Sequence, residues 1–327
     1  MSYLIRRLEF FLITLWAALT MNFIIPRVMP GSPAEAMLVR FHGRASPQAV
    51  KTMELALGFH TNESIFQQYG EYIWNTVHLN LGTSLSYFPL SVNQSIMYGL
   101  FWTLALVGVS TVIAFVLGTF IGILSAWRRG GWLDGILPTV FVVVSAFPYF
   151  WVALLFVLIF STVLTWFPSV FGYDIGLQIN LSWDFIASAL WHGILPALTI
   201  VITSIGGWVL TMRNTMITTL AEDYVKMARA KGLSPVRIMF VYAGRNAILP
   251  NLTGFAMSLG FVISGAILVE IVFNYPGLGY MLLQAVNNED FALMQGLFLL
   301  ITIAVLVAVL IADFLTAWLD PRTREAG

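Results

Sequence analysis

Six long runs with almost no charged residues divide this chain, and each is close to the length that crosses a lipid bilayer. The runs are Leu8–Ile25, Phe101–Ala126, Gly135–Phe160, Trp191–Met212, Ala247–Val269 and Phe291–Ala312. About 20 apolar residues in a helix span the roughly 30 Å of hydrocarbon in a membrane. Backbone polar groups in lipid must be satisfied within the segment, so each run is expected to be an α-helix. The sequence therefore predicts an all-α integral membrane protein with six transmembrane helices.

The scarcity of charged residues supports a lipid environment. Asp, Glu, Lys and Arg make up 10% of the chain, whereas a soluble domain usually has about 25%. So few charges cannot cover the surface of a soluble protein of 327 residues. The net charge is zero, which gives no electrostatic basis for binding nucleic acid. We expect membrane lipid to surround the chain, and we expect no nucleic-acid partner.

The distribution of basic residues predicts the orientation in the membrane. If the N-terminus is inside, the cytoplasmic segments contain Arg6, Arg7, Arg128, Arg129, Arg213, Lys226, Arg229, Lys231, Arg237, Arg245, Arg322 and Arg324. The other four basic residues all lie in one long external segment, where the charge bias is weak. Both termini are therefore expected to be cytoplasmic. The first run is interpreted as an uncleaved span, because no small-residue cleavage site follows it.

The spans suggest three parts along the chain. Residues 1–100 hold the first transmembrane helix and the external segment, whose role stays open. Residues 101–318 form a five-helix core that includes a charged cytoplasmic loop at 213–246. Residues 319–327 form a cytoplasmic tail.

The cytoplasmic loop contains signals for a short helix with defined ends. Thr219 and Glu222 have the spacing of a capping box, which predicts a helix from Thr219 to Lys231. Gly232 is placed to end this helix in a left-handed conformation. Ser234 and Pro235 are then suited to begin a second helix. The loop is either a solvated connector or a docking element, and caps at both ends favour a rigid docking element.

Motifs in this loop resemble a known family. Glu222-Asp223-Tyr224-Val225, Ala228-Arg229-Ala230-Lys231-Gly232-Leu233 and Arg245-Asn246-Ala247-Ile248-Leu249-Pro250 are similar to the coupling loop of dipeptide/oligopeptide permeases of ABC importers. Supporting stretches occur in order along the chain, from Pro30-Gly31-Ser32-Pro33 through Leu195-Pro196-Ala197-Leu198-Thr199 and Phe273-Asn274-Tyr275-Pro276-Gly277-Leu278-Gly279 to Asp320-Pro321-Arg322. The sequence departs from the family at Tyr242, Gly244 and Ala292, which bears on the substrate and not on coupling.

The resemblance implies the type I ABC importer permease fold in the cell membrane. It also implies that this chain forms half of a passage, together with a second homologous permease chain. Two ATPase domains would bind ATP and Mg, and an extracytoplasmic binding protein would deliver the substrate. The residues that would couple to the ATPase are Glu222, Asp223, Tyr224, Ala228, Arg229, Ala230, Lys231, Gly232 and Leu233. No cofactor and no catalytic role are expected in this chain itself.

The energy source and the substrate leave alternatives open. The chain has no Gly-Lys dipeptide and hence no usual phosphate-binding loop. An ion-coupled secondary transporter would need ionisable groups within the spans, but only Glu9 lies in one, with Glu270 and Asp313 at span ends. Di- or oligopeptides are the substrates that the resemblance implies, with oligosaccharides as the alternative. The residues that line the passage are not identified.

Metal binding and intramembrane catalysis are not indicated by the sequence. Cys is absent, and His42, His60, His78 and His192 show no metal-ligand spacing, so they are interpreted as scattered surface residues. An intramembrane hydrolase would need a Ser/His or paired-Asp site. No such pairing is evident, because His192 lies at a span boundary and Asp residues avoid the spans.

Overall fold

The computed structural model describes residues 2–28, 64–262 and 266–319. Over this part of the chain the regular structure is helical, with one isolated bridge between Thr83 and Ser91. Much of the predicted external segment, and the tail after residue 319, lie outside the described residues.

We number the helices in chain order. They are α1 (Ser2–Val28), α2 (Ile65–Val77), α3 (Val92–Trp127), α4 (Trp132–Ser145), α5 (Tyr149–Val163), α6 (Trp183–Leu220), α7 (Asp223–Ala230), α8 (Pro235–Arg237, then a π-helix Ile238–Gly244 and Arg245–Ala247), α9 (Leu249–Phe261), α10 (Ile267–Val272), α11 (Leu278–Asn287) and α12 (Phe291–Leu319).

Several of these helices are long and apolar enough to cross a membrane. The described residues contain four such helices, in α1, α3, α6 and α12, and α4 with α5 forms a fifth if the bent pair is one span. Helices α3 and α6 have 36 and 38 residues, or about 54 and 57 Å at 1.5 Å per residue. Both therefore extend beyond the predicted spans Phe101–Ala126 and Trp191–Met212, and beyond the hydrocarbon layer.

The third and fifth predicted spans are interrupted. Helix α4 ends at Ser145, and α5 begins after Pro148 at an angle of 95° to it. Proline has no N–H to continue the helical ladder, which explains a break at this position. The run Ala247–Val269 is divided between α9 and α10, with residues 263–265 outside the described part. The count of six spans therefore stays a prediction.

The centre of the bundle is the contact between α3 and α6. A Cβ atom on Gly118 would lie 2.5 Å from the Cβ of Trp208, and one on Gly122 would lie 2.7 Å from the Cβ of Met212. Small residues allow two helix backbones to approach this closely. The contact fixes the C-terminal half of α3 against α6, which places the segment after Leu220 next to Trp127.

The opposite end of α3 is closed by two buried acidic side chains. Glu270 on α10 is fully buried, and its carboxyl oxygens accept hydrogen bonds from Thr103 Oγ1 at 2.8 Å and Gly279 N at 2.6 Å. Asp290, also buried, accepts from Ser84 Oγ at 2.6 Å and from Leu293 N at 3.1 Å. We call this region, with the start of α3, the closed end. The sequence places Glu270 at the end of a span, and the structure shows that it is bonded between helices.

Candidate functional site

The predicted coupling residues form a compact projection, which we call the knob, at residues 222–233. Its helix α7 begins at Asp223, with Glu222 in an extended conformation as the N-cap residue. The predicted capping box is wrong, because α6 continues to Leu220 and the Thr219 hydroxyl donates to the Thr215 carbonyl at 2.8 Å. A threonine hydroxyl inside a helix commonly bonds back to the carbonyl four residues earlier. The knob helix is therefore shorter than predicted.

The end of α7 follows the prediction closely. Gly232 has φ +73°, and the Leu233 N–H donates to the Ala228 carbonyl at 3.3 Å while the Gly232 N–H donates to the Arg229 carbonyl at 2.9 Å. Such bonds around a left-handed glycine satisfy carbonyls that the helix end leaves free. Pro235 then opens α8 after Ser234, as predicted, but the Ser234 side chain makes no capping hydrogen bond. The chain thus reverses sharply on both sides of α7.

One side of α7 is buried against the bundle. Val225 and Ala228 are buried and belong to a cluster with Met212, Met216 and Ile238. The three-residue spacing places both side chains on the same helix face. This face holds the knob against the ends of α6 and α8.

Tyr224 joins the two loop motifs that the sequence shows separately. Its hydroxyl accepts a hydrogen bond from Asn246 Nδ2 at 2.7 Å and donates to the Tyr242 carbonyl at 3.4 Å. Asn246 belongs to the Arg245–Pro250 stretch, which is 22 residues further along the chain. The knob is therefore attached to α8, the element that leads into α9.

The outer side of the knob is charged and exposed. Lys226 Nζ lies 2.9 Å from Asp223 Oδ1, with both side chains mostly in solvent. This hydrogen bond from Lys226, with the attraction of its charge, holds the pKa of Asp223 below its ordinary value. Lys231 is also exposed, whereas the exposed Arg229 lies on the side of α7 that faces Trp127. The resulting surface suits a protein partner with acidic and apolar groups.

The structure separates the nine predicted coupling residues by position. Ala228 faces the bundle and Leu233 is partly buried. The other seven are exposed, namely Glu222, Asp223, Tyr224, Arg229, Ala230, Lys231 and Gly232. Met227, which sequence reasoning did not select, is 59% exposed on the outer side of α7. The sequence could have indicated Met227, because it is an apolar residue in a short polar helix and lies on a different helix face from Val225 and Ala228.

A Ser/His/Asp group that the sequence did not reveal lies elsewhere, at the start of α6. His192 is buried rather than a surface residue, and its Nε2 lies 3.7 Å from Asp174 Oδ1. The Ser188 hydroxyl donates to Asp174 Oδ2 at 2.6 Å, and His192 Nδ1 donates to the Ser188 carbonyl at 2.9 Å. The imidazole does not contact the serine hydroxyl, so the arrangement lacks the base that activates a nucleophile. It ties the α5–α6 connection to α6.

The described residues were also considered as metal ligands. Among the residues that the structure describes, no group of three or more His, Cys, Asp or Glu side chains is placed to hold a metal ion. The knob itself presents backbone turns, a buried apolar face and an exposed charged face.

The long apolar helices of the bundle are those of a multi-pass membrane protein. Residues 118–325 match the family described as binding-protein-dependent transport system inner membrane component. This chain belongs to that family.

Similar proteins cover nearly the whole chain. The di/tripeptide transport system permease protein DppB of Pseudomonas aeruginosa is 30% identical, with 99% of both chains covered. The oligopeptide transport system permease protein AppB of Bacillus subtilis is 31% identical, with 98% of both chains covered. The glutathione transport system permease protein GsiC of Escherichia coli is 31% identical over 99% of both chains. The suspected relationship to peptide ABC permeases is thereby confirmed.

Proposed function

We propose that this chain is a permease subunit of an ATP-driven importer and that the knob transmits movement from a partner ATPase to the membrane helices. The observation that carries the proposal is the two-sided knob helix. Its inner face packs against α6 and α8 through Val225 and Ala228, while its outer face is free. A partner that grips the outer face would therefore move α6 and α8 together.

The proposal includes the arrangement that the resemblance implies. Six spans with cytoplasmic termini would place the knob in the cytoplasm, in accord with the basic residues around it. A second homologous permease chain would complete the passage, and two ATPase domains would supply ATP hydrolysis. An extracytoplasmic binding protein would deliver the substrate.

Short peptides are the substrate class that we propose. The support comes from relatives named for di/tripeptide, oligopeptide and glutathione transport, each aligned over nearly the full chain. Oligosaccharides stay the alternative. Uptake of radiolabelled dipeptides and of a disaccharide into cells with and without the gene separates the two.

Co-purification with an ATPase tests the coupling role. Met227→Glu places a negative charge on the outer face of the knob, and we expect at least tenfold less ATPase subunit to co-purify from membranes. The reason is that a charge in the middle of a protein contact must be desolvated without a partner. The matched control is Val77→Glu, which adds the same charge at an apolar side chain that is 71% exposed on α2.

Two results would contradict the coupling role. One is equal recovery of the ATPase with Met227→Glu and with the native chain. The other is a native chain that brings down no ATPase from membranes in which uptake is active.

A further inference from the structure

A cavity of about 640 Å³ lies behind the knob, between the C-terminal ends of α3 and α6 and the start of α8. Its walls combine two kinds of side chain. Arg129 and Arg229 provide positive charge, and Leu220 and Leu233 provide apolar surface. Trp127 also lines the cavity, and the guanidinium carbon of Arg229 lies 5.8 Å from the centre of the indole ring.

The positive charge of the cavity is not neutralised by neighbouring carboxyl groups. Within the described residues, no Asp or Glu forms an ion pair with Arg129 or Arg229. Asp134 attracts Arg129 through space. However, Arg213 binds one oxygen of Asp134, and the Gly130 N–H donates to the other at 2.9 Å. Both cavity arginines are thus available to an anion.

Helix ends oppose an anion at this site, but with less charge than the arginines provide. Helices α3 and α6 both end at the cavity, and each C-terminus carries about half a negative charge. Two guanidinium groups carry two full positive charges. The balance of the cavity is therefore positive.

The position of the cavity relative to the membrane limits its ligand. It lies at the ends of two long apolar helices, where indole rings commonly mark the interface between lipid and water. Free phosphate would use the arginines but not the apolar walls. A phospholipid uses both, since its phosphate binds guanidinium groups and its glycerol and acyl ends contact apolar side chains.

We propose that this cavity binds the headgroup of an anionic phospholipid, with Arg129 and Arg229 on the phosphate and Leu220 and Leu233 beside the glycerol and ester groups. The lipid would occupy the space between the knob and the bundle. This proposal requires α3 and α6 to be membrane spans. It does not require that the knob couples to an ATPase.

Native mass spectrometry of the purified permease, with whatever subunits accompany it, tests the proposal. The protein is delipidated in detergent and titrated with phosphatidylglycerol, with phosphatidylcholine in parallel. Arg129→Ala with Arg229→Ala should weaken one saturable phosphatidylglycerol site by about 30-fold, given about fivefold per basic residue near an anionic lipid. The matched control, Arg128→Ala with Lys231→Ala, removes the same charge from neighbouring positions that do not line the cavity and should keep the site.

The other outcomes overturn the proposal. Equal loss of affinity in both double variants would show a general charge effect, and no loss in either would place the lipid elsewhere. If phosphatidylcholine binds the site as tightly as phosphatidylglycerol, the negative charge of the lipid does not contribute to binding. Displacement of phosphatidylglycerol by millimolar inorganic phosphate, but not by chloride of equal ionic strength, would identify free phosphate as the ligand. Release of an ATPase subunit from the cavity variant with unchanged lipid binding would identify the cavity as a protein contact.

Discussion

The N-terminal end of α3 is held by buried polar contacts, whereas its C-terminal end meets an open, basic region. At the closed end, Glu270 and Asp290 accept hydrogen bonds from four different segments of the chain, through Ser84, Thr103, Gly279 and Leu293. At the other end, about 36 Å along α3 from Thr103, the knob is held by a small apolar face and by Tyr224. The same helix therefore joins a region that resists separation to one that can be displaced.

This difference has a physical basis in what each contact costs to break. A buried donor that loses its acceptor costs about 1–3 kcal/mol. The knob is held by the burial of Val225 and Ala228 and by the hydrogen bonds of Tyr224, while its exposed ion pair adds little. These contacts join the knob to α6 and α8, so a force applied to the knob would act on those helices before it reaches the closed end.

Glu270→Ala tests the closed end and has the largest expected effect. Thr103 Oγ1 and Gly279 N would lose their acceptor in a buried region, so we expect a loss of about 3 kcal/mol in stability. The thermal unfolding midpoint in detergent should fall by about 4–5 °C. The measurement is intrinsic fluorescence during heating.

The control for Glu270 is a carboxyl group at the knob. Glu222→Ala removes an exposed side chain that makes no capping hydrogen bond, and its midpoint should stay within about 1 °C of the native value. Equal shifts in Glu270→Ala and Glu222→Ala would show that the two ends do not differ as described.

The sequence predicts local features of the knob well and long-range contacts poorly. The left-handed end at Gly232 and the start of α8 at Pro235 follow from residue type, because both depend on backbone geometry within a few residues. The start of α7 was wrong, since packing of α6 keeps Thr219 helical. Glu270 meets Thr103 across 167 positions, and no local pattern reports such a pairing.

In the membrane helices, too, the sequence predicts local features better than long-range geometry. Apolar runs predict where α1, α3, α6 and α12 lie, because hydrophobicity is a property of the segment itself. Pro148 in the run Gly135–Phe160 predicts a kink, but not that the helix breaks there with a 95° turn. Proline alone permits either a kink or a break, and the neighbouring helices decide which occurs.

Gly232→Val tests whether the knob is a separate, weakly held unit, and its expected effect is intermediate. A Cβ at this position meets no atom within 4 Å, so the cost comes from the left-handed backbone alone. That cost is about 1–2 kcal/mol for a residue with a Cβ. Amide hydrogen exchange in α7 should accelerate about 5- to 30-fold while exchange around Glu270 stays unchanged.

Gly232→Asn is the matched variant at the same position. Asparagine adopts left-handed geometry more readily than valine, so α7 exchange should lie between the native and Gly232→Val rates. If Gly232→Val accelerates exchange equally at Glu270 and in α7, the two ends unfold as one unit and the comparison fails.

The pair of Asp223 and Lys226 is expected to show the smallest effect of all. Both side chains are largely in solvent, where ion pairs contribute little because water and salt screen them. The hydrogen bond from Lys226 lowers the pKa of Asp223. The stability that this pair contributes is therefore present above the ordinary pKa near 4, and it is lost as pH falls through the lowered pKa. Lys226→Ala should therefore change α7 exchange by less than about twofold, and equally at pH 6 and pH 8. Exchange is compared with the native chain at each pH, which cancels the intrinsic pH dependence. If the difference in α7 exchange between Lys226→Ala and the native chain grows from pH 8 to pH 6, a group other than Asp223 controls the outer face of the knob.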